Sequence, residues 1–298
     1  MSLALTVFTD GIVYAAWLFL VSLGLTLVFG VLRLLNVSHG GLYSFGAYCA
    51  AFAIGACVRA QYGVAIQILS MVLLALVVGA IIAFVIERVV LARLYSQDEV
   101  VTLLATYAVF LILEDLTKLI WGRVSLYANQ PRDALGQVTV GSLPFALYDL
   151  LLVVVSFVLA AVIWFVLART RSGRMVVAVT TDRDISLAMG INVPRILTAT
   201  FVIGSMLGAL AGALTAPKIA VLPGMGVEVI VLAFAVVVVG GLGSIEGAVV
   251  AAILIGMCRA LASHLFPEAE VFVVYAVMAA VLTFRPHGLF RQAAVRRI

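Results

Sequence analysis

The stretch GIVYAAWLFLVSLGLTLVFGVLRLLNVSHGGLYSFGAYCAAFAIGACV, Gly11 to Val58, decides the fold class, because Arg33 is its one charged side chain. About 20 apolar residues at a rise of 1.5 Å cross a hydrocarbon core roughly 30 Å thick. The runs Gly11 to Leu32 and Gly40 to Val58 therefore each read as a membrane crossing. Between them, Asn36, Ser38 and the Gly40-Gly41 pair mark a break, since Asn and Gly favour the end of one helix and the turn into the next. The remaining sequence repeats the pattern. Of 298 residues, 65% are hydrophobic and 11% charged, and the mean hydropathy is +1.26, whereas soluble domains carry about 25% charged residues. Apolar residues follow a helical period or run without interruption, unlike the alternation of an outer-membrane barrel. The prediction is an all-α, polytopic transmembrane bundle of eight to nine spans forming one domain over residues 1–298.

Nine crossings can be read: Gly11 to Leu32, Gly40 to Val58, Val64 to Ile86, Val100 to Trp121, Asp149 to Ala168, Ile196 to Ala216, Gly226 to Gly243, Gly247 to Phe266 and Val271 to Phe284. Alternated from an outside amino terminus, they put Arg33, Arg88, Arg93, Arg169, Arg171, Arg174, Arg183, Arg195, Arg285, Arg291, Arg296 and Arg297 on one side. Only Arg59, Arg123, Arg132 and Lys218 fall on the other. This asymmetry places the carboxyl terminus in the cytoplasm. Gly40 to Val58 and Gly226 to Gly243 are short and glycine-bounded, so eight spans with a re-entrant pair is an open alternative. The outer loop from Gly122 to Tyr148, with Asn129, Pro131, Asp133, Gly136, Gly141 and Pro144, reads as an ordered turn region. The amino terminus shows no basic leader, so a cleaved signal is not expected.

The net charge of +4 does not indicate nucleic acid, because the Lys and Arg residues sit mostly between spans. Cys49 and Cys57 lie eight residues apart on one helix, about 12 Å of rise, too far to bridge. With Cys258 they read as small hydrophobes. Asn36, Ser38, His39, Gly40 and Gly41 present free backbone groups to whatever passes a break, or else form a tight turn with Ser38 capping the next helix. His39 has no Cys, His or Asp partner at ligand spacing, so no metal site is expected. Glu114 lies within a span and is a functional candidate for that reason. Lys118 at i+4 offers it an ion pair instead. Arg259 and Glu228 read as helix-end residues whose tips reach water. Gly204, Ser205, Gly208, Ala209, Ala211, Gly212 and Ala213 form a small-residue stripe for close helix packing. The Gly240 to Gly247 cluster lacks the lysine of a phosphate-binding loop and reads as a sharp turn. No paired catalytic set is present for an intramembrane enzyme.

The longest polar segment runs from Arg169 to Gly190, and within it Thr181 to Asn192 reads as a short amphipathic helix. Thr181 or Asp182 caps its start and Gly190 stops it. Ile185, Leu187, Ala188 and Met189 form an apolar patch suited to a partner's groove or to the lipid surface.

At this point the chain resembles the LivH-type permeases of branched-chain amino acid ABC transporters, whose relatives handle urea, amides and aromatic acids. Four blocks carry the likeness in order: GLTLVFGVLRLLNVSHGGLYSFGAY at Gly24 to Tyr48, TTDRDISLAMGINVPRI with the stripe at Thr180 to Ala213, VVVVGGLGSIEGAVVAAILIG at Val236 to Gly256, and LTFRPHGLF at Leu282 to Phe290. The family's acidic residue after Asn-x-x-His-Gly is Gly41 here, and Glu246 stands where Pro is frequent. The resemblance implies an inner-membrane importer subunit, not an enzyme, paired with a second, LivM-type permease, two ATPases and a periplasmic binding protein. Membrane lipid would surround it. It implies no cofactor in this chain, ATP and Mg being held by the ATPases. It also implies that Asp184 to Ile191, with Arg183, Leu187, Ala188, Met189 and Gly190, is a coupling helix within the loop over residues 169–195. A secondary transporter or channel, with Glu114 as a coupling acid, is the alternative.

Overall fold

The computed structural model describes residues 2–95, 97–140 and 143–290. Gly141 of the outer loop and Arg291, Arg296 and Arg297 of the charge pattern lie outside the described residues. The long apolar runs fold as α1 (Ser2–Leu32), α2 (Ser38–Arg59), α3 (Val64–Val89), α4 (Glu99–Trp121), α6 (Leu147–Arg169), α9 (Val193–Thr215), α11 (Ile245–Leu265) and α12 (Glu270–Phe284). Each but α12 reaches by itself the length and apolarity of a span, and α12 does so with the short 3-10 turn before it, giving eight among the described residues.

The ninth traverse is shorter. Its helix, α10 (Met225–Gly240), has 16 residues, and residues 216–224 ahead of it are non-helical. At one end of the bundle, Lys218 pairs with Asp149 at the start of α6. At the other, Gly240 accepts the Phe290 amide beyond α12. The stretch therefore crosses rather than re-enters, and the two ends of the described chain lie at opposite ends of the bundle.

Three helices form the centre. α1, α2 and α9 are mostly buried, while α6 and α12 expose nearly all of their apolar length, which lipid can cover without cost. The small-residue stripe explains the centre: a Cβ built on Gly46 would lie 1.9 Å from the Ala209 carbonyl oxygen, so α2 and α9 touch backbone to backbone. Tyr148 of α6 fastens the outer layer by donating its hydroxyl to Leu214 O at 2.7 Å.

Two connections hold more structure than their turn residues suggest. The loop after α4 contains α5 (Gln130–Leu135) and a hairpin of β1 (Gln137–Val140) and β2 (Leu143–Ala146). The charged loop contains two helices, α7 (Arg171–Thr181) and α8 (Arg183–Ala188). α7 was hidden because its Gly173 sits early and its polar face dominates the composition. The cysteines are free, with Cys49 and Cys57 buried.

Candidate functional site

Two breaks in the helices meet inside the bundle. After α1 the chain turns at Arg33, whose φ of 55° is in the left-handed region, and runs non-helically to α2. The His39 ring lies 2.9 Å from Val21 O, eleven residues before the end of α1, so α2 begins inside that end of the bundle. Asn36, Ser38 and His39 are sealed from solvent.

Free amides at this depth need partners. Asn36 Oδ1 accepts the Ser38 amide at 3.1 Å and the Ser38 hydroxyl at 2.6 Å. Thr106 of α4 accepts the Val37 amide at 3.3 Å, its own proton lying between Leu103 O at 3.0 Å and Leu35 O at 3.4 Å. Asn36 is thus the capping acceptor and Ser38 a donor to it, the reverse of the expected cap. The site is also a buried junction, not a surface turn.

Glu114 corrects a second expectation. Lys118 pairs with Asp115 at 2.9 Å, both at the surface, because i+3 rather than i+4 brings its tip round. Glu114 is buried and faces the other way. Its Oε1 accepts the Ser44 hydroxyl of α2 at 2.8 Å, and its Oε2 accepts the Gly224 amide at the start of α10 at 2.8 Å. One carboxylate therefore ties α4 to α2 and to the first turn of α10, where a helix N-terminus favours negative charge. Gly41 needs its missing side chain, because a Cβ there would lie 2.9 Å from Leu113. Gly40 and Gly226 touch: a Cβ on Gly40 would lie 2.5 Å from Gly226 O. The structure therefore brings Asn36, Ser38, His39, Gly40, Gly41 and Glu114 into one junction and adds Ser44, Gly224 and Gly226 to it.

Outside this junction a cavity of about 730 Å³ opens between α1, α6, α10 and α11. Trp17 lines its floor, donating to Thr215 Oγ1 at 3.0 Å. Arg259 lies over the Tyr14 ring, 3.8 Å from its centroid, and pairs with Glu270 while its side chain stays 28% exposed. Glu228 and the Lys218–Asp149 pair complete a wall bearing both signs of charge.

At the opposite end lies the charged loop. Asp182 Oδ1 caps α8 by accepting the Asp184 and Ile185 amides, both at 2.9 Å, as its position predicts. Gly190, at φ +82°, ends the turn. Ile185, Leu187 and Met189 are 60%, 53% and 77% exposed, so the apolar patch points away from the bundle, and Asp184 and Ala188 are exposed beside it while Ile191 is half-buried. Arg183 does not join it. Its guanidinium turns inward and donates to Leu32 O at 3.0 Å and Val31 O at 3.3 Å. Arg33 returns the contact, donating to Thr180 O at 3.0 Å.

Glu87, which composition alone did not single out, is buried at the end of α3. It accepts Thr198 Oγ1 of α9 at 2.9 Å and the Tyr95 hydroxyl at 3.2 Å. Burial, and then the Glu87 carboxylate, push the Tyr95 phenol well above its usual range, so it stays a donor. An acid directly after the apolar run Val64 to Ile86, still within reach of helical backbone, was the available signal.

The family model described as the branched-chain amino acid transport system permease component matches residues 7–282. BraD, a high-affinity branched-chain amino acid transport system permease protein of Pseudomonas aeruginosa, is 28% identical over 97% of this chain and 95% of its own. LivH of Escherichia coli, a protein of the same description, is 26% identical over 97% of this chain and 96% of its own. A probable LivH of Methanocaldococcus jannaschii is 26% identical over 93% and 90%. Among solved structures, PsaBC from Streptococcus pneumoniae in complex with Fab aligns with 92% of this chain and 89% of that one, at 9% identity and a TM-score of 0.47.

Proposed function

The chain belongs to the permease component family of branched-chain amino acid transport systems, and from that membership and the geometry we propose that it forms half of the pathway of an ABC importer for hydrophobic amino acids. Its partners on this reading are a second permease, two ATPase subunits and a periplasmic binding protein. On this reading ATP and Mg are held by the ATPases. It lies in the inner membrane with the start of α1 outside and α8 in the cytoplasm, as the arginine distribution favours.

One observation supports the coupling role above the others. α8 is a capped helix whose apolar side chains Ile185, Leu187 and Met189 are turned away from the protein that carries them. A groove in an ATPase subunit would bury them. ATP-driven closure of the ATPases then moves α8 and opens the route to the partner permease. On the outer side, the cavity with both signs of charge beside Trp17 and Leu232 suits a zwitterion with an apolar side chain delivered by the binding protein. The route between passes the junction of Asn36, Ser38, His39, Gly40, Gly41 and Glu114, which is closed in this conformation. The secondary-transporter alternative is not favoured, because the chain belongs to a family of transport-system permease components.

The test is uptake by the reconstituted complex. It should require ATP and persist when the proton gradient is collapsed; movement of solute by this chain without an ATPase would overturn the proposal. Leu187→Glu places a charge in the docked patch, and uptake should fall about tenfold or more. Wild-type uptake with substrate-stimulated ATP hydrolysis in that variant would refute the role of α8.

A further inference from the structure

We propose that Arg33 and Arg183 form a reciprocal clasp through which motion of α8 reaches the break ahead of α2. The inference rests on the coupling role given to α8 above.

The last carbonyls of a helix have no partner within it. Val31 and Leu32 end α1, and Arg183, the first residue of α8, supplies donors to both. Thr180 lies in the last turn of α7, and Arg33, the first residue beyond α1, supplies its donor. Each arginine therefore caps the helix belonging to the other segment, with a positive charge at a helix C-terminus, where it is favoured. Neither has a carboxylate within ion-pair distance among the described residues, so the carbonyls are their main anchors.

The clasp sits at a point that can move. Arg33 occupies a left-handed conformation that a side chain disfavours, and residues 33–37 are non-helical. Cavities of about 230 Å³ and 340 Å³ flank the clasp, and Arg33 and Thr180 line both. From Arg33 the chain reaches Asn36 in three residues and His39 in six. A displacement of α8 thus acts on the end of α1 and on the extended segment together. The helices α6 and α9 that flank the loop in sequence are not the only path of force. Arg33 and Arg183 are positioning residues, since neither is placed to touch substrate.

The experiment compares Arg33→Gln, Arg183→Gln, Arg183→Lys and the double Gln variant in the complete complex in proteoliposomes. The readout is ATP hydrolysed per substrate imported. Each single Gln variant should raise that ratio about tenfold, the loss of charged hydrogen bonds to carbonyls, with both ATPases still copurifying. Arg183→Lys should recover part of the loss, because one ammonium keeps the charge but not the fork. The double variant should be no worse than either single, as for one coupled unit. A wild-type ratio in both single variants would overturn the clasp. So would loss of ATPase copurification, which would make the arginines docking residues, or a double variant whose defect is the product of the singles. If Arg183→Gln does not assemble, Arg33→Gln decides alone, its side chain being exposed. Import by the wild-type complex without ATP would instead sink the functional reading and leave the contacts themselves untouched.

Discussion

α2 and α10 both begin inside the bundle, and their first turns are held in different ways. α2 carries its acceptor with it: Asn36, two residues ahead of Ser38, takes that residue's amide and hydroxyl. α10 has no such residue. Gly224 turns the chain at φ +90°, and the amide it exposes is taken by Glu114, 110 residues away on α4. The first break is therefore held mostly by its own residues, with Thr106 of α4 taking the Val37 amide. The second exists only once α4 and α10 have packed. A break of the second kind is easier to move, because its cap can separate from it.

The contrast can be broken most severely where the two starts touch. Gly40→Val sets a side chain against the Gly226 carbonyl, which would lie 2.5 Å from its Cβ. Both are backbone, so neither can give way cheaply. Overpacking against backbone lies at the upper end of its usual cost, about 3 kcal/mol or more, and the unfolding temperature of the purified complex should drop accordingly, with uptake lost. Retention of wild-type melting and uptake would mean that the two helix starts do not meet.

A smaller effect is expected from removing the remote cap. Glu114→Ala leaves the Gly224 amide and Ser44 hydroxyl without an acceptor, at about 1–3 kcal/mol for a buried unpaired group. Glu114→Gln keeps one acceptor and should cost less. Lys118→Ala is the control: its exposed pair with Asp115 is worth about 0–1 kcal/mol. Equal melting shifts in Glu114→Ala and Lys118→Ala would restore the pairing along α4 and remove the bridge to α10.

The least costly change is to the local acceptor, which is neutral where Glu114 is charged. Asn36→Ala leaves the buried Ser38 amide and hydroxyl without it and should destabilise by about 1–2 kcal/mol, and Asn36→Asp, which keeps the acceptor, by less. If Asn36→Ala proved more damaging than Glu114→Ala in the same melting assay, the ordering of the two breaks would be reversed.

Much of the site was legible in part. Asn36, Ser38, His39, Gly40 and Gly41 could be picked out because Asn and Gly interrupt an apolar run, and Glu114 because an acid there is costly. Their assembly could not. Helical spacing offered Lys118 to Glu114, and only the rotation of α4 in the bundle shows that the two side chains diverge. The α8 cap was legible at Asp182, since capping is a contact across two or three residues. Arg183 was grouped with the coupling helix by resemblance alone, and its inward turn depends on α1 ending beside it.

Hydropathy and hydrogen bonds between near neighbours suffice to tell that this chain is a helical membrane bundle, where its spans lie, and that a capped amphipathic helix interrupts them. Packing adds that both broken helices start at depth, that Glu114 bridges them, and that two arginines join α8 to the end of α1. Such contacts join residues far apart along the chain, and a buried polar group takes whichever partner the packed helices place within reach.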